Sequence, residues 1–274
     1  MPVWSTGMSE ARGRFAGWHA VVTGAGTGIG RAIALRLAGE GAKLSLLARD
    51  VSKLEATAKE IRATGGAPAL ALSLDIRHRA AVEGVFAKAR EKQGPIRALV
   101  ANSGIGGPNG PETARAGAVD RFDDLVATNL NGTYACLRAA QKHLATGDEP
   151  RHLVVIASIL ARIGVAGYTG YCASKAGLLG LVRALAMELA PANTQVNAVC
   201  PGWVDTDMAR EGIEGMARAM HKTSTEARAI AMQDVPLGRM SAPADVAGVV
   251  AWLLSPDARG VTGQGIDVNG GAWM

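Results

Sequence analysis

An open α/β domain, a doubly wound parallel sheet of about seven strands with helices on both faces, is the fold that this chain predicts. Three observations lead there. Short apolar runs alternate with longer helical patterns, a glycine-rich turn TGAGTGIG stands between the first such pair, and no repeat, low-complexity tract or linker divides the chain. Alternation in this order calls for parallel strands joined by right-handed crossovers.

The run HAVVTG at 19–24 is short and apolar and reads as a buried strand, whereas GIGRAIALRLAGEG at 28–41 carries helical spacing of Ile, Ala and Leu. The pair recurs. AKLSLLAR at 42–49 precedes the helical VSKLEATAKEIRATGG, PALALSLD at 68–75 precedes RAAVEGVFAKAREKQG, and IRALVAN at 96–102 is the fourth strand. A long helix is expected around 120–144, a strand at HLVVIAS (152–158), a helix from about 168 to 189 and a strand at QVNAVCPG (195–202). The pattern then breaks into a Met-rich helical insertion at about 205–233, before a helix at 243–254 and a last strand near 264–268. Residues 1–15 read as a flexible lead-in and 16–274 as the single domain.

Composition narrows the function. The 48% hydrophobic content with only 4% aromatics describes an aliphatic core, and a net charge of +5 with both signs interspersed leaves no basic face for nucleic acid. The three cysteines, Cys136, Cys172 and Cys200, lack paired spacing, which argues against disulfides and zinc and for a reducing, cytoplasmic setting. The five histidines are scattered, so no metal is expected. No apolar run is long enough to span a membrane, and the opening residues lack the apolar core of a secretory signal.

Two short stretches carry chemistry. In VVTGAGTGIGRAIA, Gly24, Gly28 and Gly30 permit a tight turn and close approach of backbone to a pyrophosphate, and the following helix N-terminus supplies free N–H groups. A dinucleotide fits there. In GYTGYCASKAGL, Tyr171 and Lys175 are four apart and share a helix face, while Tyr168 lies a turn further back and reads as a wall. At the end of the second strand stand Ala48 and Arg49 rather than an acidic residue that would accept from ribose hydroxyls. Arg49 suits a 2′-phosphate, which favours NADP(H) over NAD(H). A local pairing of Arg49 with Asp50 or Glu55 is the competing reading.

These motifs together resemble the short-chain dehydrogenase/reductase family over nearly the whole chain, from about Trp18 to Ala272. TGAGTGIG is similar to its T-G-x-x-x-G-x-G turn, ANSG to its N-N-A-G, TNLNG to its catalytic-Asn segment and YCASK to its Y-x-x-x-K, with Ser158 thirteen residues before Tyr171. Ala101 and Ser103 depart from the usual pattern. The resemblance implies a Rossmann-type fold and a catalytic set of Asn129, Ser158, Tyr171 and Lys175. Tyr171 would be the proton donor, its pKa lowered by the Lys175 ammonium and an oxidised nicotinamide. Lys175 would also hold the nicotinamide ribose, Ser158 would hydrogen-bond the substrate oxygen rather than merely cap the next turn, and Asn129 would hold a water.

The implied cofactor contacts are Gly24, Thr27, Gly28, Ile29 and Gly30 in the turn, and Arg49 at the second strand. Asp75 and Ile76 would meet the adenine, Asn102 and Gly104 the adenosine ribose, Tyr171 and Lys175 the nicotinamide end. Pro201, Gly202, Val204 and Thr206 would follow from PGWVDT, which resembles the family's P-G-x-V-x-T.

Substrate selectivity is expected in the insertion and in the loops IGGPNGPETARAG and ILARIGVAGYTG, with Ser158, Ile159, Ile163, Tyr168, Trp203, Met208, Met216 and Met220 as lining. VNAVCPGWVDTDMA and VPLGRMSAPADVAGVVAWLLSP resemble the β-ketoacyl-thioester reductase branch, including polyketide ketoreductases. A hydrophobic ketone, carried as an acyl thioester, is then the expected substrate, with Arg12, Arg14 or Arg210 available to an anionic carrier. Two alternatives stand beside it: a dehydrogenase of cyclic or aromatic secondary alcohols, and a non-catalytic dinucleotide-binding regulator. Relatives of this kind are homotetramers or homodimers joined through their long helices, here about 120–144 and 168–189.

Overall fold

The computed structural model describes residues 13–109 and 120–274. Seven strands form one all-parallel sheet in the order β3-β2-β1-β4-β5-β6-β7. They are β1 (His19–Thr23), β2 (Lys43–Ala48), β3 (Leu70–Ser73), β4 (Ala98–Ala101), β5 (Arg151–Ile156), β6 (Thr194–Pro201) and β7 (Gly265–Val268). The chain winds outward from β1 to β3, then returns to lay β4 on the other side of β1. That reversal opens a crevice at the carboxyl ends of β1 and β4, the place where open α/β sheets of the Rossmann type bind ligands. The register aligns those ends: Thr23 pairs with Leu47, Ala101 with Val155, Ile156 with Val199 and Pro201 with Val268.

Alternating strand residues feed two cores. Val21, Leu47, Leu99, Leu153 and Val155 face α3 (Arg79–Gln93), α5 (Thr133–Lys142) and α6 (Thr169–Leu189), where Phe86, Leu137, Leu178 and Val182 meet them. Ala20, Val22, Leu44, Leu46, Val100 and Val154 face α1 (Gly28–Gly39), α2 (Val51–Ala63) and α9 (Pro243–Leu253), through Ile33, Leu37, Leu54, Ile61, Val246 and Val250. Burial on both faces explains why these strands read as continuous apolar runs.

Two expectations are corrected, and the helical insertion is resolved into its parts. The lead-in does not extend to residue 15: Phe15 is buried against the second core and Arg14 is bonded to Glu40, while residues 1–12, and with them Arg12, lie outside the described residues. The helix expected at 120–144 is α4 (Phe122–Val126), a π-turn over Ala127–Gly132, and α5. The insertion is two helices, α7 (Asp207–Met220) and α8 (Ser224–Gln233), the latter started by a reciprocal Thr223–Glu226 cap. They enclose a small core of Ile213, Ala217, Ala227 and Met240, with Trp203 and Met216 packed on it.

Candidate active site

The glycine turn is shaped by what a side chain would strike. Gly24 and Gly28 adopt φ of 65° and 51°, in the left-handed region that favours glycine. A Cβ on Gly24 would lie 2.7 Å from the Asn102 amide nitrogen, and one on Gly30 would collide with the Gly24 carbonyl. Asn102 is the clasp of this turn: its Nδ2 donates to the Thr23 and Gly24 carbonyls at 3.0 and 3.3 Å. The Thr23 hydroxyl in turn accepts from the amides of Asn102 and Ser103, each at 2.9 Å. Thr27 begins α1 with extended backbone and no side-chain cap, and the first turn carries no acid, with Ile29 half-buried inside it. The helix therefore offers free N–H groups and positive dipole to an anion.

At the end of β2, Asp50 is consumed by capping α2, accepting from the Ser52 amide at 3.0 Å and the Ser52 hydroxyl at 2.6 Å. Arg49 is exposed, and its guanidinium has no carboxylate partner among the described residues, Asp50 lying instead 4.0 Å from the Lys53 ammonium, so the local-pairing reading does not hold. Asp75 is engaged instead of open: Arg77 grips it at 2.7 Å, holds its carboxyl down to about 2, and reaches on to Asp124 at 3.2 Å. Ile76 is buried beside it, against Gly132 of the π-turn. On the far side, Pro201 ends β6, Gly202 closes on Asn269, Val204 is buried, and Thr206 caps α7 while its methyl faces Gly28.

The four residues of the expected catalytic set converge. Tyr171 is the third residue of α6, and one turn on Lys175, 6% exposed, places its ammonium 5.7 Å from the Tyr171 ring centroid and donates to the Ile156 carbonyl at 2.9 Å. Ile156 ends β5, and Ser158 follows two residues later with its hydroxyl close enough to the Tyr171 phenol to pull its pKa down. Contrary to expectation, Ser158 does cap the next turn: its oxygen accepts from the Leu160 amide at 3.1 Å, which leaves the O–H free to donate. Asn129 is fully buried in the π-turn. Its Oδ1 accepts from the Ile105 amide at 2.8 Å, and its Nδ2 donates to the Ile105 carbonyl at 3.0 Å and to Ser174 Oγ at 3.2 Å. Ser174 donates to the Tyr171 carbonyl at 2.8 Å. A Cβ on Gly104 would stand 3.1 Å from Asn129 Oδ1 and 3.6 Å from Lys175 Nζ, so this glycine lets the loop after β4 come down onto both.

Burial dominates the electrostatics of the pair. Burial raises the Tyr171 phenol above its ordinary value, with the nearby Ser158 hydroxyl opposing it, and burial also lowers Lys175 to about 8. The expected lowering of the phenol depends on an oxidised nicotinamide beside it as well as on the ammonium, and burial acts against it. Tyr168 sits just before α6, half-buried, its ring edge-on to Tyr171 at 6.5 Å.

Of the expected lining, Ile159, Ile163 and Tyr168 flank Ser158 and Tyr171 along the chain, with Ile159 buried and Ile163 half-buried. Met208, 46% exposed, leans over Gly106. Trp203 and Met216 turn into the α7–α8 core, and Met220 ends α7, about 20 Å along the helix from Thr206; the structure does not bring these three to the catalytic set. The loop expected at 105–117 is described only as far as Asn109. Asn109, which no sequence motif marks, is 3% exposed, and its Oδ1 accepts from the Gly170 amide at 2.7 Å, which caps α6 just before Tyr171. An Asn in a glycine-rich loop gives no sign of which helix it caps.

Residues 24–272 match the family model described as enoyl-(acyl carrier protein) reductase. The chain is 39% identical over 256 residues to a ketoacyl reductase assigned to the monensin polyketide synthase of Streptomyces virginiae, covering 92% of this chain and 95% of that protein. It is 34% identical over 260 residues to the 3-oxoacyl-[acyl-carrier-protein] reductase FabG of Escherichia coli, covering 95% and 99%. A crystal structure of an actinorhodin polyketide ketoreductase variant with NADPH superposes with a TM-score of 0.85 at 36% identity, over 93% and 97% of the two chains. The chain belongs to the short-chain dehydrogenase/reductase family and is an NAD(P)-dependent oxidoreductase.

Proposed function

We propose that this oxidoreductase reduces a β-ketoacyl thioester, or a hydrophobic polyketide-type ketone, to the secondary alcohol, and that it uses NADP(H) in preference to NAD(H). The convergence of Ser158, Tyr171 and Lys175 at the head of α6 carries the reading of the chemistry. The likeness to ketoacyl and polyketide ketoreductases supports the substrate class. For the cofactor, the uncapped start of α1, the glycine cradle and the unpaired Arg49 fit a phosphorylated dinucleotide.

A reduced dinucleotide, which the glycine turn, Tyr171 and Lys175 would hold, would supply the hydride for the carbonyl carbon. The Tyr171 phenol donates its proton to the carbonyl oxygen; its raised pKa keeps it protonated at neutral pH, the form a reduction needs. Ser158 donates its remaining O–H to the same oxygen, drawing charge toward it as the bond order falls. The Lys175 ammonium faces the phenolate left behind, and Asn129 holds the loop after β4 against Ser174 and so against the backbone of Tyr171.

Along α6, Ala173, Ala176, Gly180, Ala184 and the 80%-exposed Met187 form an apolar stripe, which supports a homotetramer or homodimer packed through this helix. Oxidation of NADPH and of NADH is followed with an acetoacetyl thioester and with free cyclic and aromatic ketones. Turnover of the thioester with NADPH is the expected result; turnover of free ketones alone would overturn the substrate assignment, and equal efficiency with NADH the cofactor preference.

A further inference from the structure

The loop that presents Ser158 is short, and its far end is fastened. After Ser158 the chain makes one 3-10 turn over Ile159–Ala161 and closes it at Arg162, whose amide donates to the Ile159 carbonyl at 2.8 Å. The guanidinium then leaves the loop for a distant strand. Its Nη2 donates to the Gly265 carbonyl of β7 at 2.7 Å and lies 3.4 Å from the Asp267 carboxylate, and its central carbon stands 5.2 Å from the centroid of the Trp273 ring. Its Nε is buried with no partner, a cost that a loop arginine would avoid by swinging into water.

The strand makes room for it. A Cβ on Gly265 would meet Arg162 Nη2 at 2.6 Å, Arg162 Cζ at 3.3 Å and Leu179 Cδ2 at 3.2 Å, while the φ of Gly265 lies outside the left-handed region. Glycine is therefore required there for close approach of the guanidinium and not for backbone conformation. Leu179 is one turn beyond Lys175 on α6, so the same contact touches the catalytic helix. Beneath it on β6 lies the buried Cys200, near enough to Arg162, Asp267, Lys175 and the Ser158 amide for each to act on its thiol.

We propose that Arg162 is a positioning residue for Ser158: by anchoring the 3-10 turn to β7 and the C-terminal Trp273, it fixes the direction of the Ser158 hydroxyl. This rests on the role given to Ser158 above. The turn is three residues long, and the Ser158 oxygen is bonded to the amide of Leu160 inside it, so release of its far end changes the angle at which the O–H reaches a substrate oxygen.

A double-mutant cycle with NADPH and an acetoacetyl thioester tests this. Arg162→Met keeps the stem and removes the fork; it is expected to lower kcat about tenfold with the KM for NADPH within about twofold of the parent. In a Ser158→Ala background the same change is expected to add less than about a twofold loss, because its effect passes through the missing hydroxyl. An unchanged kcat in Arg162→Met, or a full tenfold loss in the Ser158→Ala background, overturns the inference while leaving the role of Ser158 intact. Full activity of Ser158→Ala alone would instead overturn that role and the inference with it. Should Arg162→Met fail to fold, Gly265→Ala displaces the guanidinium with Arg162 retained and is expected to give the same dependence on Ser158.

Discussion

Replacing Lys175 by Met separates its effect on folding from its effect on chemistry. The residue is buried, and burial lowers its ammonium from 10.5 to about 8, a difference of about 3 kcal/mol between the two protonation states. In the unfolded chain the ordinary value returns. Between pH 8 and 10.5 the unfolded state thus holds a proton that the folded state has released, so stability rises with pH across that window and the burial penalty is fully present below it. Lys175→Met removes the charge at similar length but also removes the bond to the Ile156 carbonyl, worth about 1 kcal/mol net. The variant is expected to be more stable than the parent by about 2 kcal/mol at neutral pH. The advantage should shrink through the window and reverse above it, while turnover falls at least about tenfold. Urea unfolding of both proteins at a series of pH values reads the difference. A stability gap that does not change between about pH 8 and 10 would refute the reasoning that a charged lysine is held in a dry site.

Gly30→Ala places a methyl against the Gly24 carbonyl and is expected to abolish NADPH binding, read by nucleotide fluorescence; an unchanged Kd would count against the turn as the pyrophosphate cradle. Arg49→Ala is expected to raise the KM for NADPH about tenfold and leave that for NADH within about twofold, and a parallel rise in both would remove Arg49 from the phosphate site. His152 is 3% exposed, has no hydrogen-bond partner on either ring nitrogen, and is lowered from 6.5 to about 4 by burial and then by Arg97. The unfolded state takes up this proton first as pH falls, so stability is lost from pH 6.5 down to about 4, by about 3 kcal/mol in all. His152→Leu should flatten that acid limb, and an unchanged limb would place the acid sensitivity elsewhere.

Much of the fold was legible because the strands are buried on both faces. HAVVTG, HLVVIAS and QVNAVCPG are apolar runs with no helical alternative at that length, and β1, β5 and β6 stand where those runs fall. Tyr171 and Lys175 were legible for a similar reason: helical spacing alone puts them on one face. What the sequence concealed depends on contacts between distant segments. The π-turn at Asn129 accompanies bonds to Ile105, from another loop. Asn109 caps a helix some sixty residues away, Arg77 claims Asp75 as readily as an adenine would, and Phe15 completes a core whose other members begin after it. The burial of the Tyr171 phenol was concealed as well, because spacing shows the nearby charge and not what shields it from water.

Turnover and NADPH binding of Tyr171→Phe beside Tyr168→Phe test the proton-donor assignment most directly. Tyr171→Phe is expected to lose turnover by about a hundredfold or more with the NADPH Kd unchanged, and Tyr168→Phe, which keeps the phenol at the Ser158 hydroxyl, to stay within about tenfold of the parent. Near-normal turnover in Tyr171→Phe, or a greater loss in Tyr168→Phe, would contradict the assignment of Tyr171 as the acid.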